Sequence, residues 1–172
     1  MRRSARFGPV PYSRRQMDIV DLGIGMALIL AGALGLYWGV LRQMVALAGL
    51  AAGLAVAGRY GSAAGDALGS FVNDPVVAGA GGTLAVLAAV SGTASLLASL
   101  VHLYAGLLFL GRLDHGLGAV LGVLYAALLI AALTLVGTAY PSALWDPIVD
   151  RSAFAPLLVE LFGPVVAPLL RI

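Results

Sequence analysis

The stretch DLGIGMALILAGALGLYWGVLR, residues 21–42, carries no charged side chain between Asp21 and Arg42. Crossing the hydrocarbon core of a bilayer takes about 20 consecutive apolar residues of helix. The stretch therefore reads as a first membrane crossing, over residues 18–37. Tyr37 and Trp38 at its far end are the amphipathic aromatics favoured at a membrane interface. Residues 41–57 make a second crossing, short, with Arg42 and Arg59 placed to reach the interface from its two ends. The joint between the two is so tight that they form an antiparallel hairpin if Gly39 breaks the helix.

Working outward, residues 59–74 (RYGSAAGDALGSFVND) are more polar. Gly61, Gly65 and Gly69 share one helical face and Asp66 another, which predicts a short helix lying at the interface. Pro75 suits the first position of the next helix. Residues 76–110 are too long for one straight crossing at about 1.5 Å per residue, so a third crossing is expected within 78–104. GRLDHG (111–116) is the next joint, and 116–138 the fourth crossing. Beyond it, Pro141, Pro147, Pro156, Pro164 and Pro168 predict an apolar tail chopped into short interfacial pieces. The expected fold is all-α: a polytopic membrane protein of four transmembrane helices in two antiparallel hairpins, plus short interfacial helices. Residues 1–16 form an Arg-rich tail, 17–140 the bundle and 141–172 the proline-broken end.

Composition supports this. Hydrophobic residues are 61% of the 172 and charged residues 10%, with mean hydropathy +1.01, more apolar surface than a soluble domain of this size requires. The absence of cysteine excludes disulfides and thiolate metal sites. His102 and His115 are too few for a metal cluster, and no cofactor is expected. All ten basic residues are arginine, and five (Arg2, Arg3, Arg6, Arg14, Arg15) precede the first apolar run. The basic balance thus belongs to a tail rather than to a nucleic-acid-binding face. Arginines followed by an apolar run and Ala31-Gly-Ala33 also resemble a secretory signal, but Asp18 and Asp21 at the head of the run argue against cleavage.

Two joints carry a family pattern. One is Asp18, then GLYWGVLR at 35–42, then Leu47, Gly49, Gly53 and Tyr60; the other is LDHGLGAVLG at 113–122, followed by RSAFAP at 151–156. Over residues 17–172 the chain resembles the colicin V production protein (CvpA) family of small multi-pass bacterial inner-membrane proteins. The resemblance implies an integral membrane protein accessory to bacteriocin or toxin production or export and to envelope maintenance. Similar proteins usually carry arginine where this chain has His115, and Arg-Gly where it has Tyr125-Ala126. Residues 1–16 have no counterpart, and Met17 falls where family members typically begin.

Three constellations stand out. Gly35–Gly39, Gly49–Gly53 and Gly118–Gly122 are GxxxG pairs, small faces that let helices approach closely within the monomer or between copies in a homo-oligomer. Ser91, Ser95 and Ser99 recur every four residues, with His102 one turn further on. They form either a packing seam or the polar wall of a channel or transporter subunit; catalysis is disfavoured, because no third member accompanies a serine and a base. Arg42 and the pair Arg112–Asp114 are the charges nearest the ends of crossings. They act as interfacial anchors, or Arg42 and Asp114 pair to lock the two hairpins. No catalytic residue is expected, and no small-molecule substrate follows from the sequence. The expected partners are the lipid bilayer and other membrane proteins, and a structural subunit of a larger membrane complex is a further reading. With four crossings both termini share one side. The arginine count favours the cytoplasm, whereas the family resemblance points outside.

Overall fold

The computed structural model of the chain describes residues 19–105, 111–140 and 151–171, with the backbone alone at 101–105 and 111–113. Four helices follow in order: α1 (Ile19–Leu68), α2 (Pro75–Ala105), α3 (Gly111–Ala139) and α4 (Phe154–Leu170), with no strand among the described residues. Three of them, α1, α2 and α3, are long and apolar enough to cross a membrane. The first two expected crossings both lie in α1, which is two helical segments, 19–38 and 40–68, meeting at Gly39 with φ 75° and ψ 177°; Gly39 breaks the helix as expected. That φ lies in the left-handed region, which costs a residue with a Cβ and costs glycine little.

The kink brings residues before and after it, Ala27 and Ala31 on one side and Gln43 and Ala46 on the other, to the wall of one cavity. From there α1 serves as the hub, packing along both α2 and α3, while α2 and α3 scarcely touch. Its first half meets α3 with numbers running in opposite order: Gly35 lies on Gly118 and Gly32 on Val123. Its second half meets α2 in the same way, with Gly49 on Ala94, Gly53 on Leu87 and Ser91, Gly61 on Thr83 and Gly65 on Gly79. The small faces of the two halves point to different partners, Gly35 to α3 and Gly49 and Gly53 to α2.

Two expectations are corrected. Residues 60–68 are no separate interfacial helix but the end of α1, because Gly61 and Gly65 continue its small face onto α2. Asp74 begins α2, its Oδ1 accepting from the Val76 amide at 2.8 Å and the Val77 amide at 3.3 Å, ahead of Pro75 in the first turn. Of the C-terminal prolines, Pro141 and Pro147 lie outside the described residues, and the other three do not break α4 into pieces. Pro156 falls in the first turn of α4, where no backbone donor is missed, and Pro164 and Pro168 lie inside a helix that continues past them. All three are exposed, so the missing donors and ring clashes of Pro164 and Pro168 fall on the outer side of α4 and leave its inner face intact.

That inner face completes the core. Val166 and Leu170 pack with Leu50, Leu54, Ala57, Leu87, Ala132 and Val136. Ala155 and Leu158 pack with Ile24, Ala127 and Ala131. The distribution of residues is inverted relative to a water-soluble bundle. Ile29, Leu96 and Val120 stand outside, 73%, 70% and 64% exposed, while Asp21, Gln43, Thr83, Ser91, Thr134 and Ser152 are buried. Such a surface is suited to lipid rather than water.

The glycine contacts separate into two classes that a melting series in detergent will distinguish. A Cβ at Gly35 would meet the Gly118 carbonyl, and one at Gly118 the Gly35 carbonyl, whereas one at Gly92 meets nothing within 4 Å. Gly35→Ala and Gly118→Ala should each cost about 1–3 kcal/mol by overpacking against backbone. Gly92→Ala should be neutral or stabilising by up to about 1 kcal/mol.

Candidate functional site

The polar groups gather at three places, and each begins with a backbone need. The first is the turn at Gly39. A helix that stops and restarts there leaves carbonyls unpaired before it and amides unpaired after it. Asp114, in the first turn of α3, accepts from the Val40 amide through Oδ1 at 3.0 Å. His115, the next residue, places Nδ1 2.7 Å from the Leu36 carbonyl oxygen. A carbonyl only accepts, so this ring nitrogen carries the proton and donates. The Asp-His dipeptide of the joint therefore satisfies both sides of the turn. A Cβ at position 39 would run into the Asp114 carboxylate, so glycine is needed for space as well as for its positive φ.

Arg42 stands one turn beyond. Its guanidinium stacks over Trp38, with Cζ 3.2 Å from the ring centroid, and its Nε donates to Ser99 Oγ at 3.1 Å. Ser99 in turn donates to the Ser95 carbonyl at 2.9 Å. The locking ion pair between Arg42 and Asp114 does not form, because each is committed elsewhere: Asp114 to the turn, Arg42 to an aromatic face and to α2.

The second place was not foreseen. Asp21, 1% exposed, lies at the head of α4. Its Oδ1 accepts from Ser152 Oγ at 2.7 Å and from the Ala153 and Phe154 amides at 2.9 and 3.1 Å, and its Oδ2 from the Ala153 amide at 3.2 Å. Ser152, fully buried, also accepts from the Ala155 amide at 2.9 Å. A buried carboxylate is tolerable only when its lone pairs are filled, and the open amides of a helix start fill them with favourable dipole orientation. Two signals pointed here: an acidic residue at the head of an apolar run, and a serine just ahead of a Phe-Ala-Pro helix start.

The third place is a cavity of about 270 Å³ between the two halves of α1 and α3, edged by Ser95 of α2. Arg42, Gln43 and Tyr125 line it beside apolar residues of α1 and α3. Of the serine series, Ser91 and Ser99 donate to carbonyls one turn back, Leu87 and Ser95, and Ser91 packs on Gly53, as a packing seam does. Ser95 alone edges the cavity. The GxxxG pairs Gly35–Gly39, Gly49–Gly53 and Gly118–Gly122 are all buried against other helices of the same chain. The side chains of His102 and Arg112 lie outside the described residues. No group of three or more His, Cys, Asp or Glu that could hold a metal occurs among the described residues.

A family model described as Colicin V production protein matches residues 20–163 of the chain. No curated protein and no solved structure gives a significant match. The matched span takes in all three polar places, including Asp21 and Ser152.

Two double-mutant cycles by unfolding in detergent test these assignments. Asp21→Ala should cost about 3 kcal/mol and Ser152→Ala about 1–2, with a coupling of roughly 1 kcal/mol or more, because both serve one buried network. Arg42→Ala and Asp114→Ala should be additive to within about 0.5 kcal/mol, since they share no partner.

Proposed function

The chain belongs to the colicin V production protein family, and from that premise we propose that it is a bacterial inner-membrane accessory to toxin production or export, and to envelope maintenance. In this reading it crosses the bilayer four times and works through membrane partners rather than by catalysis. The observation that carries the four crossings is the turn at Gly39. It divides α1 into residues 19–38 and 40–68, and residues from both halves line one cavity. Each half meets or exceeds the roughly 20 residues a crossing takes. In this reading the two halves of α1 form one antiparallel hairpin, and each packs antiparallel to its own partner, the first half to α3 and the second to α2. Both termini then lie on one side, the cytoplasm by arginine distribution.

A serine-lined transport path finds less support, since Ser91 and Ser99 spend their hydroxyls on their own helix. The three GxxxG pairs support packing inside one copy, leaving association with other proteins to the apolar outer surface.

The chain lacks cysteine, so single cysteines report sidedness without background. Ser70 is exposed in the connection after α1, and a Cβ at Gly116 meets nothing within 4 Å. In intact cells a membrane-impermeant maleimide should label Gly116→Cys, and should label Ser70→Cys only after permeabilisation. Labelling of both from one side would end the four-crossing reading. Deletion of the protein should lower release of a colicin V-type toxin, with restoration by the full chain; unchanged release would end the accessory role.

A further inference from the structure

A buried side-chain amide without a hydrogen-bond partner is costly wherever water is excluded, and calls for an explanation. Gln43 is such a group. It is 5% exposed, it lines the cavity between the halves of α1 and α3, and no described residue hydrogen-bonds to its side chain. Arg42, its neighbour in sequence, lines the same cavity. Ser99 takes its Nε and Trp38 its flat face, which leaves both terminal nitrogens without a hydrogen bond to any described residue. The guanidinium is thus held rigidly with its strongest donors unused. No carboxylate lines the cavity to neutralise it.

The chemistry that satisfies these groups together is an oxyanion: two acceptor oxygens for the guanidinium fork and one for the Gln43 amide. The Ser95 and Tyr125 hydroxyls at the wall suit further hydroxyls attached to it. The surroundings identify the molecule that bears the anion. Leu30 and Leu34 line the cavity yet are 58% and 44% exposed on the outer surface, so it runs on to the face that meets acyl chains. Arg42 lies three residues past the Gly39 turn, about 5 Å of helix, which sets it at headgroup depth if α1 crosses twice. A volume of about 270 Å³ holds a headgroup and the start of its chains, not a whole lipid.

We propose that this cavity is a binding site for the headgroup of an anionic membrane phospholipid. Its phosphate sits on Arg42 and Gln43, and its acyl chains leave along Leu30 and Leu34. Basic pockets between transmembrane helices are suited to such headgroups. A trimethylammonium headgroup is disfavoured, because the cavity offers it no anion and the Trp38 face is already covered by Arg42. The proposal rests on the membrane-crossing reading, which cysteine labelling tests without reference to lipid, so the two fail separately.

The test uses the full chain in neutral maltoside detergent, with native mass spectrometry to count bound lipid. Phosphatidylglycerol should bind saturably, one per chain, at about ten-fold lower concentration than phosphatidylcholine of the same acyl chains. Arg42→Gln should erase that preference, and Arg59→Gln, remote from the cavity, should keep it. Gln43→Leu should weaken phosphatidylglycerol binding several-fold while leaving the melting temperature in lipid-free detergent equal or higher, because it removes an unpaired buried amide. A purely packing role for Gln43 would instead lower melting and leave lipid binding alone. Equal binding of the two lipids, or an unchanged preference in Arg42→Gln, overturns the proposal. Competition by millimolar inorganic phosphate as effective as that of the lipid would assign the cavity to free anions instead and overturn the lipid source.

Discussion

The turn at Gly39 is the constraint on which the other contacts depend. It requires a residue without a Cβ twice over, for a positive φ and for the space taken by Asp114. Once made, it exposes a helix end and a helix start whose backbone groups lack partners within α1. Asp114 and His115 supply the partners from the first turn of α3. The same two hydrogen bonds fix where α3 begins against α1. With that register set, Gly118 falls on Gly35 and Gly122 on Ala31. The turn is thus stabilised by the helix whose position it determines.

Packing within the bundle follows from its inverted composition. When the outer surface is as apolar as lipid, burying leucine gains little, and attraction between helices depends on close fit and on polar groups hidden from the hydrocarbon. Here the fit comes from glycine and alanine along both halves of α1, which allow backbone-to-backbone approach. The polar component is spent on ends and joints. Asp74 starts α2, Asp114 restarts α1 after the turn, and Asp21 with Ser152 starts α4. Three aspartates thus do the same chemical task, each accepting from backbone amides that open helix starts leave over.

This economy narrows where function resides. Asp21, Asp114, Ser152 and His115 are engaged with backbone, and Ser91 with its own helix. Among the described donors left over, those of Arg42 and Gln43 lie together beside a cavity open toward the lipid-facing side. In a protein whose family is associated with toxin production, a site that recognises a lipid headgroup would couple the bundle to the composition of its membrane.

Long apolar runs, the sparse charges and the glycine spacing settled in the sequence that the chain is helical, suited to a membrane, closely packed and related to this family, because hydropathy and small-residue periodicity are local properties. Gly39 as a break and Pro75 as a helix start were legible for the same reason. Partner choice was not. The sequence could not show that Gly35 faces α3 while Gly49 faces α2, since a glycine face is complementary to any other small face. Nor could it show that Arg42 and Asp114 ignore each other, because opposite charges at neighbouring joints look like a pair until Ser99, Trp38 and the Val40 amide arrive from elsewhere. The prolines of α4 read as breaks one at a time; only in the folded chain do they share the outer side, away from the packed face. Asp21 and Ser152, 131 residues apart, meet solely because the tertiary structure brings the head of one helix to the start of another. There the carboxylate and the amides of the helix start satisfy each other, which removes what would otherwise be a buried cost.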